Sequence, residues 1–434
     1  MTDRPAVLLR RLGAVVLATT TALTTAALPL AGPARADDVP APVPVAAVPA
    51  ALSATDLMVQ ANLAVRSLDP ALGLDLAGTV TDATTGVALW SQDPAEAQIP
   101  ASNTKILTAV DALESFGPTH RFTTKVMTGT APRRVVLVGG GDPSLTTRQL
   151  GRMARVVAAS YLAQGITRVR VLVDDSLFPA PTSAPGWRAS YQIRDVSPVR
   201  ALVVDQHRRW DTSLDAGAVF AAKLRRFGLV LIKRPVAHTI VPATATLLAA
   251  NQGADVGTQV HAMLQESDND IAEGLHRLVA LQTGFPATWE GAQAARVAAL
   301  GRLGVTITTP VYDGSGLSRL DRLTPDEIVA VLGRIFDPAH PNLAGLQAGA
   351  LPVAGVSGTL GPRYRRYVTA PASCAAGLIE AKTGSLSGVI ALSGFARGAD
   401  GQVKFFSFLL NGVPATLSTR RAVDLLATTI TGCY

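Results

Sequence analysis

The chain reads as an α+β protein in which an antiparallel sheet is flanked by helices and a mixed α/β domain is inserted. Three observations predict this. Strand-like runs stand near the start and again near the end, a helical stretch occupies roughly residues 250 to 336, and the texture between them changes at 122 and 249.

Residues 74–81 and 87–91, separated by Asp82-Ala83-Thr84-Thr85-Gly86, read as a hairpin with Gly86 near the turn. From Ser102 onward, Ile106, Leu107, Val110 and Leu113 recur at helical spacing until Gly117-Pro118 stops them. Short β-like runs then follow at 134–138, 169–173, 201–205 and 229–232, with a helix at 147–164. Past Ala250 the pattern predicts helices over 257–266 and 270–282 with a turn between them, and another over 324–336 with Pro325 in its first turn. Runs at 378–383, 389–395 and 403–410 read as successive antiparallel strands, and 418–430 closes the chain as an amphipathic helix. The first hairpin and the last strands form one sheet, so the main domain is discontinuous, 53–121 plus 250–434, with 122–249 inserted.

The ends and composition narrow the setting. With 434 residues, 48% hydrophobic and 16% charged, the chain can bury a large core and divide into about two or three domains. Arg4, Arg10 and Arg11 precede a charge-free run from Leu12 to Pro33, and Ala34-Arg35-Ala36 supplies small residues for cleavage, so residues 1–36 read as a signal peptide. Export to the cell wall, the periplasmic space or the medium is expected, by either the general or the twin-arginine route. Residues 37–52, rich in Pro, Ala and Val, read as a tether. No later run of ~20 apolar residues suggests a membrane span. The net charge of +7 falls to +4 once the leader, with four arginines against one aspartate, is removed. Arginine pairs without interleaved aromatics argue against a nucleic-acid partner. The two cysteines, Cys374 and Cys433, can pair in an oxidising compartment, restraining the C-terminus by about 4 kcal/mol in the chain-entropy model; two free thiols are the other reading.

The chemistry sits in three short motifs: Ser102-Asn103-Thr104-Lys105, Ser267-Asp268-Asn269 and Lys382-Thr383-Gly384. The chain has only six lysines, and two of them fall in this set. Ser102 and Lys105 are three apart at a helix start, so one turn brings the amine beside the hydroxyl. A lysine acts as base only when neutral, which burial or a nearby positive charge such as Lys382 would favour. Ser267 offers a second hydroxyl to relay a proton, and the Asn269 amide can both donate and accept at a peptide substrate. The Lys382 ammonium and Thr383 hydroxyl suit a substrate carboxylate, and Gly384 permits close backbone approach. Taken singly, these motifs are an N-cap serine, a capping turn and a strand end; their joint occurrence in this order carries the argument. The six histidines are scattered without metal-ligand spacing, so no metal or other cofactor is expected. Gly139-Gly140-Gly141 runs into Asp142-Pro143 and reads as a turn rather than a dinucleotide loop.

Together with Gly140-Gly141-Asp142-Pro143-Ser144-Leu145, Asp313-Gly314-Ser315-Gly316-Leu317-Ser318-Arg319, Leu351-Pro352 and Gly358-Thr359-Leu360, the triplets resemble the D-alanyl-D-alanine carboxypeptidase/endopeptidase family of low-molecular-mass class C penicillin-binding proteins (peptidase family S13). The resemblance covers most of residues 55 to 431. It implies a β-lactamase/transpeptidase-like catalytic domain and a serine DD-carboxypeptidase, with DD-endopeptidase action in some members, on peptidoglycan stem peptides. In that reading Ser102 attacks the bond between two D-alanines, Lys105 takes its proton, and Ser267 with Lys105 returns one to the departing D-alanine. Lys382 and Thr383 hold the terminal carboxylate, Asn269 holds the acyl chain, and the N–H groups of Ser102 and Ser385 form the oxyanion hole. β-Lactam antibiotics would be covalent inhibitors. Arg319 matches an arginine that some members use for the far end of the stem-peptide side chain, yet Ser190 and Tyr191 stand near where its acidic partner is expected. Two alternatives remain: a β-lactamase or esterase on the same fold, disfavoured by the absence of a Glu-x-x-x-Asn stretch after Asn269, and a non-catalytic wall-binding homologue.

Overall fold

The computed structural model describes residues 52–434. The expected signal segment and the tether up to residue 51 lie outside the described residues. Helix α1 (Ala54–Arg66) starts at Ser53, whose hydroxyl accepts from the Asp56 N–H while the Asp56 carboxylate accepts from the Ser53 N–H. Strands β1 (Leu76–Asp82) and β2 (Ala88–Gln92) form the hairpin. Helix α2 (Thr104–Phe116) is buried without a break from Thr104 to Leu113, and Gly117, at φ 75°, ends it.

Strands β3 (Arg121–Thr128) and β4 (Arg134–Val138), helix α3 (Thr147–Ala163), β5 (Arg168–Asp174), α4 (Thr212–Arg226), β6 (Val230–Leu231) and β7 (Leu247–Asp255) come next. Four helices follow: α5 (Val256–Glu266), α6 (Asn269–Gln282), α7 (Trp289–Arg302) and α8 (Pro325–Ile335). Thr324 caps α8 and Pro325 opens it, a residue whose missing N–H costs nothing there. The chain closes with β8 (Ile379–Leu386), β9 (Val389–Arg397), β10 (Val403–Asn411) and α9 (Leu417–Ile430).

Two five-stranded sheets result. The first, in the order β2-β1-β10-β9-β8, is antiparallel throughout, and β1 pairs β10 from Leu76 opposite Leu410 to Asp82 opposite Lys404. Alternate residues of its inner strands face two cores: Ala391, Phe395, Phe405 and Leu409 join α2 and α5 to α8, while Ile390, Leu392, Phe406 and Phe408 join α1 and α9. Strands covered on both faces must be apolar in an unbroken run, which is why β9 and β10 were plain in the sequence. The second sheet, β6-β5-β4-β3-β7, is mixed, with β4, β5 and β6 parallel and β3 antiparallel to β4 and β7. Helices α3 and α4 cover it through Leu150, Met153, Val157, Phe220 and Leu224.

Residues 201–205 are not a strand. Ala201, Leu202 and Val204 are buried, but the Ala201 carbonyl accepts from the Gly141 N–H, so this backbone crosses over the glycine turn instead of joining a ladder. A Cβ at Gly139 would lie 2.5 Å from that carbonyl oxygen, which explains the glycine. Helices α1, α4 and α7 were not expected. The buried face of α7 consists of Ala292, Ala295, Ala299 and Arg296, so its stripe lacks the bulk that sequence periodicity depends on. Cys374 and Cys433 are joined by a disulfide, with Cα atoms 6.3 Å apart. Among the described residues no helix is long and apolar enough to cross a membrane.

Candidate active site

Ser102 lies in a single 3-10 turn, Ala101–Asn103, that runs directly into α2. The preceding Ala101 is fully buried at φ 47°, a conformation that side chains other than glycine rarely adopt. Its carbonyl oxygen would lie 1.8 Å from a Cβ at Gly316, itself at φ 79°, so two unusual backbones fit together beside the serine. Asn103 anchors the turn from below: its Nδ2 donates to Ser393 Oγ on β9 at 2.6 Å.

One helical turn on, Lys105 is fully buried. Its Nζ lies 3.0 Å from Ser102 Oγ, 2.7 Å from Asn269 Oδ1 and 2.7 Å from the Ser315 carbonyl oxygen. Three acceptors match the three hydrogens of an ammonium, and the amine left after one proton departs can accept from the serine hydroxyl. Burial lowers the Lys105 pKa to about 8, against the opposing pull of Asp313, Glu273, Asp268 and Asp270. Burial, not the charge of Lys382, is therefore the main cause. Lys382 is itself pushed well below the ordinary lysine value, by burial and then by the charge of Lys105.

The second motif lies on the connection between α5 and α6. Ser267 caps α5 in the left-handed region at φ 57°, and the Asp268 side chain caps α6 by accepting from the Ile271 N–H at 2.8 Å. This sharp reversal puts Asn269 in the first turn of α6, with its carbonyl toward Lys105 and its Nδ2 donating to the Asp195 carbonyl at 2.9 Å. Both ends of the amide thus have protein partners, and an acyl chain reaching Nδ2 would replace the Asp195 contact. Ser267 Oγ has no hydrogen bond to Lys105, so the structure joins Ser102, Lys105 and Asn269 directly and leaves Ser267 beside them.

The third motif lies on β8, the edge strand. Lys382 Nζ donates to the Thr383 carbonyl at 2.9 Å, and the Thr383 hydroxyl is 2.7 Å from that of Thr359. A Cβ at Gly384 would come within 2.8 Å of the Pro100 carbonyl oxygen and 3.2 Å of Ala101 Cβ, so glycine lets β8 lie against the serine turn. Ser385 follows, exposed. Arg319 Nη1 donates to the Ser387 carbonyl at 2.9 Å and has no acidic partner among the described residues.

Sequence reasoning missed the layer below. Glu273, fully buried on α6, accepts from the Gly314 N–H at 3.1 Å and the Ser315 N–H at 2.8 Å. Asp313 accepts from Gly316 N–H, Ser318 N–H and Trp187 Nε1, which knots the loop that presents the Ser315 carbonyl. Burial and then the charge of Asp313 raise Glu273 to about 7, and the same two causes hold Asp321 well above the carboxylate range. Glu273 stands four residues after Asn269, hence on the same face of α6, a spacing that could have flagged it. Among the described residues no three His, Cys, Asp or Glu side chains gather as a metal site requires.

A helix-start serine paired with a buried lysine, facing a Lys-Thr-Gly edge strand, belongs to the penicillin-recognising class of serine enzymes. A family model described as the D-Ala-D-Ala carboxypeptidase 3 (S13) family matches residues 59–210 and 206–430, and the chain belongs to that family. It is 36% identical over 428 residues to "Carboxypeptidase DacB" of Mycolicibacterium smegmatis, covering 91% of this chain and 90% of that one. It is 30% identical over 453 residues to a D-alanyl-D-alanine carboxypeptidase of an Actinomadura species, covering 82% and 81%. Among solved structures, penicillin binding protein 4 of Haemophilus influenzae aligns with a TM-score of 0.70 at 21% identity, covering 85% of this chain and 97% of that one. The fold is thus the β-lactamase/transpeptidase-like α+β arrangement.

Proposed function

We propose that the protein is an exported serine D-alanyl-D-alanine carboxypeptidase that trims peptidoglycan stem peptides through an acyl-enzyme on Ser102. The observation that carries this is the Lys105 amine, fully buried, 3.0 Å from Ser102 Oγ and pushed down to about 8. At neutral pH a useful fraction of such a lysine is unprotonated. The neutral amine takes the Ser102 proton as Oγ bonds to the carbonyl carbon between the two D-alanines. The N–H groups of Ser102 and Ser385 receive the oxyanion. Collapse of the tetrahedral adduct breaks the C–N bond, and Lys105, through Ser267, hands a proton to the leaving amine. Water then attacks the ester, returning Ser102 and releasing the shortened peptide. Lys382 and Thr383 hold the terminal carboxylate, and Asn269 orients both Lys105 and the acyl chain. Export is supported by the leader-like first 36 residues and by a disulfide suited to an oxidising compartment. The second sheet, drawn from residues between Arg121 and Asp255, supports reading a domain inserted between the first two motifs, with its last strand β7 running past the expected boundary at 249 to Asp255.

β-Lactams acylate the same serine and leave slowly. The glutamate nearest in sequence after the second motif, Glu273, has its carboxylate engaged by the backbone N–H groups of Gly314 and Ser315 and is fully buried, so it is not placed to activate a deacylating water. The test is to incubate wild type and Ser102→Ala with a labelled penicillin and to follow D-alanine release from a synthetic stem peptide. Wild type should take one label per chain and release D-alanine, and Ser102→Ala should do neither. Label on Ser102→Ala, or rapid turnover of penicillin, overturns the reading. Cleavage of a cross-linked peptide dimer would add endopeptidase action.

A further inference from the structure

The Lys105 amine is held by the Ser315 carbonyl, and the N–H of that same residue, which lies in the preceding peptide group, is held by Glu273. We propose that Glu273 is a positioning residue that sets the basicity of Lys105, by fixing the 314–315 backbone that presents the Ser315 carbonyl and through its own negative charge. This rests on the reading of Lys105 as the base.

Glu273 Oε1 lies 3.2 Å from the Gly314 nitrogen and 2.8 Å from the Ser315 nitrogen, and Oε2 lies 3.1 Å from the former. The Ser315 carbonyl then accepts from Lys105 Nζ at 2.7 Å. The Ser315 carbonyl belongs to the next peptide group, whose Gly316 N–H donates to Asp313, so Glu273 acts on it by fixing where the 314–315 backbone sits. The charge also acts directly, because Glu273 is among the acids that raise Lys105 against its burial. Burial and Asp313 hold Glu273 near 7, so it is mostly ionised where Lys105 titrates.

The other charged groups facing this pair come from every side. Asp313 and Asp321 lie on the loop, Asp268, Asp270 and Arg277 on α6 and its cap, and Lys382 on β8. Arg296 of α7 donates to the Asp313 carbonyl but is paired with Asp111. None of them bonds to the Gly314 or Ser315 N–H groups.

Without the glutamate charge, burial would drive Lys105 lower, leaving more of it neutral but making it a weaker base. The chain has six lysines, so lysine labelled with 13C at Cε gives a spectrum simple enough to follow Lys105 directly. Glu273→Gln should move the Lys105 titration down by about one unit, a tenfold change in its neutral-to-charged ratio at fixed pH. The acid limb of penicillin acylation should move with it while the plateau falls about tenfold. Glu273→Asp keeps the charge and shortens the reach, so its plateau should fall with the titration near that of wild type. In wild type itself the Lys105 signal should show a second, smaller inflection near pH 7 from Glu273. An unmoved titration in Glu273→Gln overturns the proposal; should that variant not fold, a Glu273→Asp acylation plateau equal to that of wild type does so. Failure of wild type to take penicillin would sink the functional reading, and the NMR titration would still decide this one.

Discussion

Beneath Ser102, the side chains of Lys105, Glu273, Asp313 and Asp321 are sealed from water, whereas those of Asp175, Arg200, Asp211 and His238, just past the end of β5, reach the surface. In the sealed cluster three groups shift toward their neutral forms: Lys105 falls to about 8, Glu273 rises to about 7 and Asp321 rises well above the carboxylate range, all with burial as the main cause. The exposed cluster pairs its charges instead. His238 lies between Asp175 and Asp211 at 3.0 and 2.8 Å, and Arg200 reaches both carboxylates. Burial would raise Asp175, but hydrogen bonds from Ser213 and Arg200 and the charge of His238 hold it below the ordinary carboxylate value. Both clusters are bonded to their surroundings, but only the sealed one brings a lysine down toward neutral pH.

Removing the central group of the sealed cluster should have the largest effect. Lys105→Ala should lower penicillin acylation by about 10² to 10⁴-fold, and near-normal labelling would show that the buried lysine is not the base. Asp111→Ala comes next, because it leaves the Arg296 guanidinium, 2% exposed, without its carboxylate. Chemical unfolding should report a loss of about 3 to 5 kcal/mol. Acylation by wild type should rise about tenfold between pH 7 and pH 9 and then level, because the reactive form of Lys105 is the deprotonated one and its value is about 8. A rate already level by pH 6 would remove the argument from burial. His238→Ala, in the exposed cluster, should cost at most about 1 kcal/mol, since its pairs are solvated and Arg200 still joins the two carboxylates. A larger loss would mean that the two clusters differ less than their exposure implies.

The sequence made one half of this comparison partly readable. Ser102 and Lys105 stand one helical turn apart, so local geometry carries that pair, while Asn269, set on its capping turn, reaches Lys105 through the packing of α6 on α2. Lys382 and Gly384 were readable because a doubly covered sheet writes itself as long apolar runs, and β8 borders such a run in β9. Ser315 and Asp195 act through backbone carbonyls, which leave no mark on residue type, and Glu273 shows itself only through its spacing from Asn269 because its partners are backbone N–H groups. The misread run at 201–205 has the same origin: its apolar residues are buried as a strand's would be, but its backbone partner is Gly141. The balance of burial against Asp313 and Glu273 at Lys105 likewise arises only from packing, so the sequence leaves burial and the charge of Lys382 as alternatives that only the fold separates.

The pairing of β1 with β10 also bears on how the chain assembles. Leu76 meets Leu410, so the hairpin made first must wait for the last strand before its sheet can close. The second sheet has no such delay, since β7 completes it by Asp255. Pairing across so long a separation is slow. Such a chain would gain its middle region first and its Ser102 pocket last, leaving the nucleophile unassembled until the C-terminal strands arrive.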